Sequence, residues 1–524
     1  MSLSSRVLSD LQSQRGRLLD EFQDWRRRTA DGGDLTHHRS QVERTTARLE
    51  GLIEAVTQTT PLAPGANPAT AALDSVMALR HDLGTVDLVW DFFRDKFAQR
   101  DMGYFADHLG AADDLAYAVY HPFQKAVEAA MLQGPHADDG GDSPTHAIPG
   151  TEMAPLGPEH FKTPPLLFYA SDRSPFAQAR ASAFRPLGLS SRDIESIRQV
   201  LLRLPVPVIG LPWALSRSVP ALVVVGHEAG HVVAEDLGLA GAFDGLIGGL
   251  GLGGDRGPVW QSWADECFAD VFGVLVCGSA YVELLSRQLA KDLQGIRGER
   301  IDRNRPGAYP TAALRVSLCQ AVQKSLGMAV DPSWRSTYGS VTGDAFSFAA
   351  DVPEVARVLL DGPYPTLGGQ GLKSVMTWSK DDDDLATEIG NVLLMGGQPS
   401  TPFDVRHWVA AAVRAQASDP QSYVDRRLDA RLSAEIVAQR SDPFRGLEGF
   451  RDLSDAALRG PLGMPMGLES ADPTGPSLTD RDRSMGNAMA NLLSGVFSRA
   501  SQDAPGPDDP GLVVSGPDPS PPQD

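Results

Sequence analysis

His227 and His231 stand four residues apart in the apolar run SVPALVVVGHEAGHVVAEDLGL, residues 218–239. On an α-helix that spacing places both imidazoles on one face, one turn apart, with Glu228 projecting beside them. This is the HExxH arrangement, in which two neutral imidazoles bind Zn²⁺ and the Glu serves as general base on water. Three polar side chains within five positions of an otherwise apolar helix are costly without a compensating partner, which favours a metal over a helix that merely satisfies itself. A catalytic zinc site needs a third protein ligand and leaves its fourth position to water. The stretch WADECFADVFGVLVCG, residues 263–278, offers Glu266, with Asp270 four residues on and therefore on the same face. Glu266 can close a His₂Glu set, and Asp270 can accept the outer N–H of a ligating imidazole and so fix its tautomer. The rival acid, Asp265, points about 100° away from Glu266 on a helix and has no acid four residues on.

These residues resemble the gluzincin metallopeptidases, in which HExxH is followed by a helix carrying ExxxD. The segment Glu266-Cys-Phe-Ala-Asp270-Val-Phe272-Gly273 is similar to the third-ligand helix of thermolysin-like enzymes, with their E-x-x-x-D-x-F-G pattern. The resemblance covers residues 218–273, little more than a tenth of the chain. It implies a zincin-like core, one zinc ion per chain held by His227, His231 and Glu266, Glu228 as catalytic base, Asp270 as the partner of a ligand, and a peptide or protein substrate. His231 and Glu266 lie further apart here than in thermolysin-like enzymes. The added length is the Gly-rich GAFDGLIGGLGLGGDRG, residues 241–257, which is either a flap over the cleft or a passive connector. A dinucleotide loop is excluded, because the stretch does not join a strand to a helix.

In thermolysin-like enzymes a downstream histidine steadies the oxyanion, whereas here only His407 follows Glu266, within an ordinary amphipathic pattern. A phenol can donate to a developing oxyanion instead. Tyr309 and Tyr281 are the candidates, Tyr309 ahead because Pro310 after it suggests an ordered turn. Tyr281 is also a candidate substrate contact. Arg315 either binds a substrate carboxylate or pairs with an internal acid.

The surrounding sequence predicts a mainly α protein with a small β-sheet, a zincin-like metallopeptidase core flanked by helical domains. Val7, Leu8, Leu11, Leu18, Phe22 and Trp25, then Val42, Leu49 and Leu52, recur at helical spacing around Asp31-Gly32-Gly33-Asp34, which predicts a helical hairpin over 1–57. Residues 57–70 have linker composition, and 71–132 read as a helical domain. The Pro/Gly-rich loop 133–165 is either disordered or a cover for the site. Residues 166–169 and 206–209 look like strands, with a helix near 191–204 between them. The prolines of the second strand predict a sheet edge, where an extended substrate could add as a further strand. The core is expected over 166–340, a C-terminal helical region over 341–470, and a mostly disordered acidic tail over 471–524.

The chain of 524 residues carries 47 basic against 67 acidic residues, a net charge of -20, which repels phosphate backbones and anionic lipid and argues against nucleic-acid or membrane partners. Arginine outnumbers lysine 40 to 7, a bias that often marks a GC-rich bacterial genome. Cys267, Cys277 and Cys319 lack CxxC spacing and read as core thiols in a reducing compartment. No signal peptide is legible, and the apolar window 237–254 is Gly-rich and broken by Asp244, so a cytoplasmic location is expected unless a dedicated secretion machine exports the chain. Trp260 and Trp263 read as core anchors, and Asp381 to Asp384 as a solvated helix start. The expected function is zinc-dependent peptide-bond hydrolysis. The rival is a non-catalytic zinc-bound scaffold that engages protein partners through its N- and C-terminal helical regions.

Overall fold

The structure is a computed structural model that describes residues 3–30, 33, 35–58, 68–103, 105–133, 163–179, 205–341, 343–399 and 403–439. Most of the 133–165 loop, the helix expected near 191–204 and the whole acidic tail lie outside the described residues.

Helices α1 (Leu3–Arg28), α2 (Arg39–Gln58) and α3 (Pro68–Ala98) pack their apolar stripes together. Leu11, Leu18, Phe22 and Trp25 meet Val42, Leu49, Trp90 and Phe97, all buried, as helical spacing requires. Trp90 lies edge-on to Phe22 and Trp25, at 5.0 and 5.9 Å between ring centres. A 3₁₀ turn, Gln99–Asp101, then redirects the chain into α4 (Ala106–Gln133), whose Leu115, Val119 and Phe123 belong to a second and larger core. The helical unit expected over 71–132 is thus divided between two cores.

The sheet among the described residues is the wall between those cores. Strand β1 (Leu166–Ala170) runs parallel to β3 (Val208–Pro212), and β2 (Phe176–Gln178) pairs antiparallel with the other side of β3. Successive side chains leave opposite faces of a strand. Leu166, Phe168 and Val208 therefore enter the N-terminal core, while Leu167, Tyr169, Ile209 and Leu211 enter the larger one. Burial on both faces explains why these strands read as unbroken apolar runs. The expectation that 206–209 forms a sheet edge is corrected: β3 is the central strand. Pro207 precedes it and Pro212 ends it, so neither removes an N–H from the middle of the ladder. A substrate cannot add to a strand already paired on both sides.

The larger core closes around α5 (Val223–Asp236), α6 (Ala240–Gly248), α7 (Arg256–Ser262), α8 (Ala264–Leu289), α9 (Leu293–Gly298), α10 (Ala312–Ser325) and α11 (Ser333–Tyr338). It also takes in α12 (Val352–Asp361), α13 (Leu372–Val375), α14 (Lys380–Leu394), α15 (Val405–Ser418), α16 (Pro420–Asp425) and α17 (Leu428–Ala438). Helix α15 packs on α8 and α17 on α4, so residues beyond 340 complete this core instead of forming a separate layer. Helix α8 is the one described helix long and apolar enough to cross a membrane, and 89% of its most apolar stretch is buried inside the protein.

A buried polar joint ties the two cores together. The Arg100 guanidinium donates to both oxygens of Asp113 on α4, at 2.7 and 2.9 Å, and to the Leu167 carbonyl of β1 at 2.8 Å. His38 lies 3.4 Å from Asp113 and bonds Gln41, whose amide reaches the carbonyls of Pro164 and Pro165. Burial and the neighbouring Arg100 lower the His38 pKa despite Asp113, so the ring is neutral at pH 7. Removing one partner of a buried ion pair costs about 3–5 kcal/mol. Asp113→Ala should therefore lower the unfolding free energy by that order, read from a urea titration that follows tryptophan fluorescence.

Candidate metal centre

The segment 218–239 does not enter its helix at once. A 3₁₀ turn, Pro220–Leu222, comes first, and α5 then begins without a side-chain cap. The Val219 N–H is instead held by Asp429 of α17 at 2.8 Å. Gly238, at φ +73°, ends the segment in the left-handed conformation that glycine favours. Within α5, Gly226 and Gly230 lie one turn apart on the face turned to α8. A Cβ at Gly226 would sit 3.1 Å from Val276, and one at Gly230 would sit 3.0 Å from the Ala269 backbone. The two glycines of the GHEAG segment thus let the helices approach closely enough for His227 and His231 to meet the side chains of α8.

The meeting is tight. His227 Nε2 and His231 Nε2 are 3.3 Å apart; His227 Nε2 is 3.4 Å from Glu266 Oε2, and His231 Nε2 is 3.5 Å from Glu266 Oε1. Ligands at ~2.0–2.2 Å on a tetrahedral ion are separated by roughly 3.3–3.6 Å. The two imidazole nitrogens are thus spaced as two donors of a tetrahedral site, each with one Glu266 oxygen beside it, and these three residues form the group among the described residues that could hold a metal ion. Glu266 Oε2 is buried with no hydrogen-bond partner, as a ligand atom would be.

Each outer imidazole nitrogen has an acceptor. His227 Nδ1 is 3.2 Å from Asp270 Oδ1 and 3.1 Å from the Tyr281 hydroxyl, and His231 Nδ1 is 3.1 Å from Asp265 Oδ2. These contacts place an acceptor at each Nδ1, so that with a cation in the group each ring would keep its proton there and turn its Nε2 lone pair to the ion. Asp265, the acid set aside by helical geometry as a ligand, is the orienting partner of the second histidine. Nothing in its own sequence spacing signals this, because the contact joins two helices.

Four carboxylates (Glu228, Asp265, Glu266 and Asp270) share this volume with one guanidinium. Burial works to lower the His227 pKa, but the neighbouring carboxylates of Asp270 and Glu266 outweigh it and raise it. His231 follows the same pattern, with burial overcome mainly by Asp265. Both shifts express an excess of buried negative charge that a cation would neutralise. Glu228 is also buried, which raises its pKa against the pull of the two imidazoles, and its Oε2 has no partner.

Asp270 is fully buried and receives Arg315 of α10 through two bonds, Nε to Oδ2 at 2.8 Å and Nη2 to Oδ1 at 2.7 Å. Its Oδ1 also accepts the Tyr281 O–H at 2.6 Å. Burial would raise its pKa, yet the guanidinium and His227 hold it well below the usual carboxylate range. Arg315 thus pairs with an internal acid, and Tyr281 spends its single proton on Asp270, which removes it from contention as an oxyanion donor. Tyr309 is half-buried on the wall of the adjoining cavity, near Glu266, with the Arg315 guanidinium 5.5 Å from its ring centre.

That cavity, of about 300 Å³, begins at His227, Glu228, Tyr309 and Arg315 and runs along α8 past Tyr281, Leu284, Leu285, Gln288 and Leu289. The Gly-rich connector is neither flap nor passive link over its first half. Phe243 and Ile247 of α6 are buried, with Phe243 stacked on Phe268 at 5.0 Å, and Gly251 and Gly254 turn the chain into α7. Trp260 and Trp263 are buried, Trp263 also touching the cavity, and all three cysteines are buried and free. His407 bonds Asp382 at 2.9 Å, far from this chemistry in role. The run Asp381 to Asp384 is not uniformly solvated: Ser379 and Asp382 form a capping box, and Asp383 turns inward to α8.

No family model matches the chain, and no curated protein or solved structure does so either. The site is therefore read from its own geometry.

Asp270→Ala would leave the Arg315 guanidinium buried without its partner, at a cost of about 3–5 kcal/mol. The sign with pH follows from the depressed carboxyl. The stabilisation is present above the ordinary Asp value of 3.8 and is lost as pH falls from there toward the folded-state value. Urea titrations of wild type and Asp270→Ala should differ by that amount at pH 7 and converge in strong acid.

Proposed function

We propose that the chain is a zinc-dependent metallopeptidase of gluzincin type, with a zincin-like core, that hydrolyses peptide bonds. The observation that carries this reading is the meeting of His227, His231 and Glu266 at 3.3–3.5 Å, with the unpartnered Oε2 of Glu228 beside them on a cavity wall. Two imidazoles and one carboxylate suit zinc better than the harder divalent ions. His227, His231 and Glu266 would hold the ion, and Asp270 and Asp265 keep the imidazoles in the ligating tautomer. When bound, zinc supplies Lewis acidity at the scissile carbonyl and lowers the pKa of water.

Glu228 takes the proton of the attacking water and hands it to the leaving amine. Its raised pKa suits that double duty near neutral pH. Tyr309, whose hydroxyl proton is held firmly by burial, donates to the developing oxyanion. The cavity floor of Leu284, Leu285 and Leu289 favours a large apolar side chain next to the cleaved bond.

Protein dialysed against zinc should hold one ion per chain by atomic emission, and Glu266→Ala should hold far less. Glu228→Gln should keep the ion and cut peptides roughly 10²- to 10⁴-fold more slowly. Tyr309→Phe should lose roughly 10²- to 10³-fold in kcat. Absence of metal from wild type would sink the enzyme reading. Metal without any dependence on Glu228 would favour the scaffold.

On a peptide mixture read by mass spectrometry, Leu, Phe and Met beside the cleaved bond should exceed Ala by roughly 10- to 150-fold in kcat/KM. Cleavage with no such bias would remove the cavity from the account of specificity while leaving the chemistry intact.

A further inference from the structure

Asp270 and Tyr281 are 11 residues apart in α8, about 16 Å along the axis of a straight helix. Their side chains nevertheless touch at 2.6 Å. The difference is made at Gly278, whose φ of +53° and ψ of -132° are open to glycine alone. The chain breaks there, and the second half of α8 folds so that the Tyr281 ring lies against Gly273, where a Cβ would strike it. A Cβ at Gly278 would in turn run into the Trp378 indole.

A broken helix strands the N–H groups that open its second half. Here the acceptor comes from another element. The Ser279 N–H donates to Asp383 Oδ1 at 3.1 Å, and the Ser279 hydroxyl donates to Oδ2 at 2.5 Å. Trp378 Nε1–H reaches the same Oδ1 at 3.1 Å. Arg414 of α15 lies 3.4 Å from Oδ2 and pairs with Glu283 of the second half-helix at 2.7 Å. An acid within the first turn of α14 therefore serves as the N-cap of a half-helix about a hundred residues earlier.

We propose that Asp383 is a positioning residue for the metal centre, capping the second half of α8 so that Tyr281 is held against Asp270 and His227. The proposal rests on the metal-centre reading above, and it makes the helices beyond residue 340 part of the site's construction. Losing the outer partner of a metal-ligating histidine typically weakens metal binding 10- to 100-fold. Asp383→Ala should approach that loss by freeing Tyr281, whereas Asp383→Asn, which keeps an acceptor for the Ser279 N–H, should recover most of it.

The test measures zinc affinity by chelator competition for wild type, Asp383→Ala, Asp383→Asn, Tyr281→Phe and the Asp383→Ala/Tyr281→Phe double variant. If Asp383 acts through Tyr281, the double variant binds zinc no more weakly than Tyr281→Phe alone. Additive losses, or wild-type affinity in Asp383→Ala beside weakened Tyr281→Phe, would overturn the proposal. The His227 tautomer, read from imidazole ¹⁵N shifts in the metal-free protein at a pH alkaline enough to leave the ring neutral, separates this outcome from failure of the metal reading. A mixture of tautomers in Asp383→Ala against a single Nδ1–H form in wild type supports the positioning role even if zinc does not bind, and identical tautomers refute it. Should Asp383→Ala fail to fold, Ser279→Ala, which removes only the hydroxyl contact, must shift the same tautomer in the same direction for the proposal to stand.

Discussion

The buried carboxylate of Asp270 is the constraint around which the centre of the molecule is arranged. A lone ionised acid in such a place would be prohibitively costly, so its partners must arrive together. Arg315 supplies two donors from α10, Tyr281 supplies one from beyond the break in α8, and the outer nitrogen of His227 faces it from α5. Each partner belongs to a different stretch of backbone. Satisfying this one acid fixes the relative placement of α5, both halves of α8, and α10, and that placement aligns His227, His231 and Glu266.

Two packing devices make the arrangement reachable. Glycines on α5 permit close contact with α8, so that short side chains suffice to span the gap. The sheet, buried on both faces, then holds α4 and α5 on one side while the N-terminal hairpin seals the other. The Arg100–Asp113 pair crosses this boundary and takes up a β1 carbonyl as well, which couples the hairpin to the core through polar contacts that must all be satisfied at once. Helices from the C-terminal region close the remaining faces, and so the long apolar helix α8 can carry two acids in its interior without exposure to water.

Electrostatics give the centre its chemical character. Acids outnumber bases around the imidazoles, and both rings respond with raised affinity for positive charge despite burial. Glu228, like Glu266, has a buried oxygen with no hydrogen-bond partner among the described residues, and it lines a cavity that also takes in Leu284, Leu285 and Leu289. In the proposed reading those leucines receive a side chain while the polar groups act on the backbone next to it.

What the sequence determined by itself was local. The i, i+4 pairs His227/His231 and Glu266/Asp270 share a face because of helix pitch alone, and the stripes of α1 and α2 follow from the same period. The coarse class, mainly helical with a small sheet, was legible for that reason too. Only the tertiary structure decided the contacts that join distant segments: Asp265 to His231, Arg315 to Asp270, Asp383 to Ser279, and the Tyr281 hydroxyl to Asp270 across the break in α8. It also placed β3 at the centre of its sheet, since proline at the ends of a strand leaves the ladder between them intact. It split 71–132 between two cores, and it turned part of a Gly-rich stretch into a packed helix. Periodicity reports which residues share a face, but the partner of that face is set by burial and charge compensation among elements far apart in the chain.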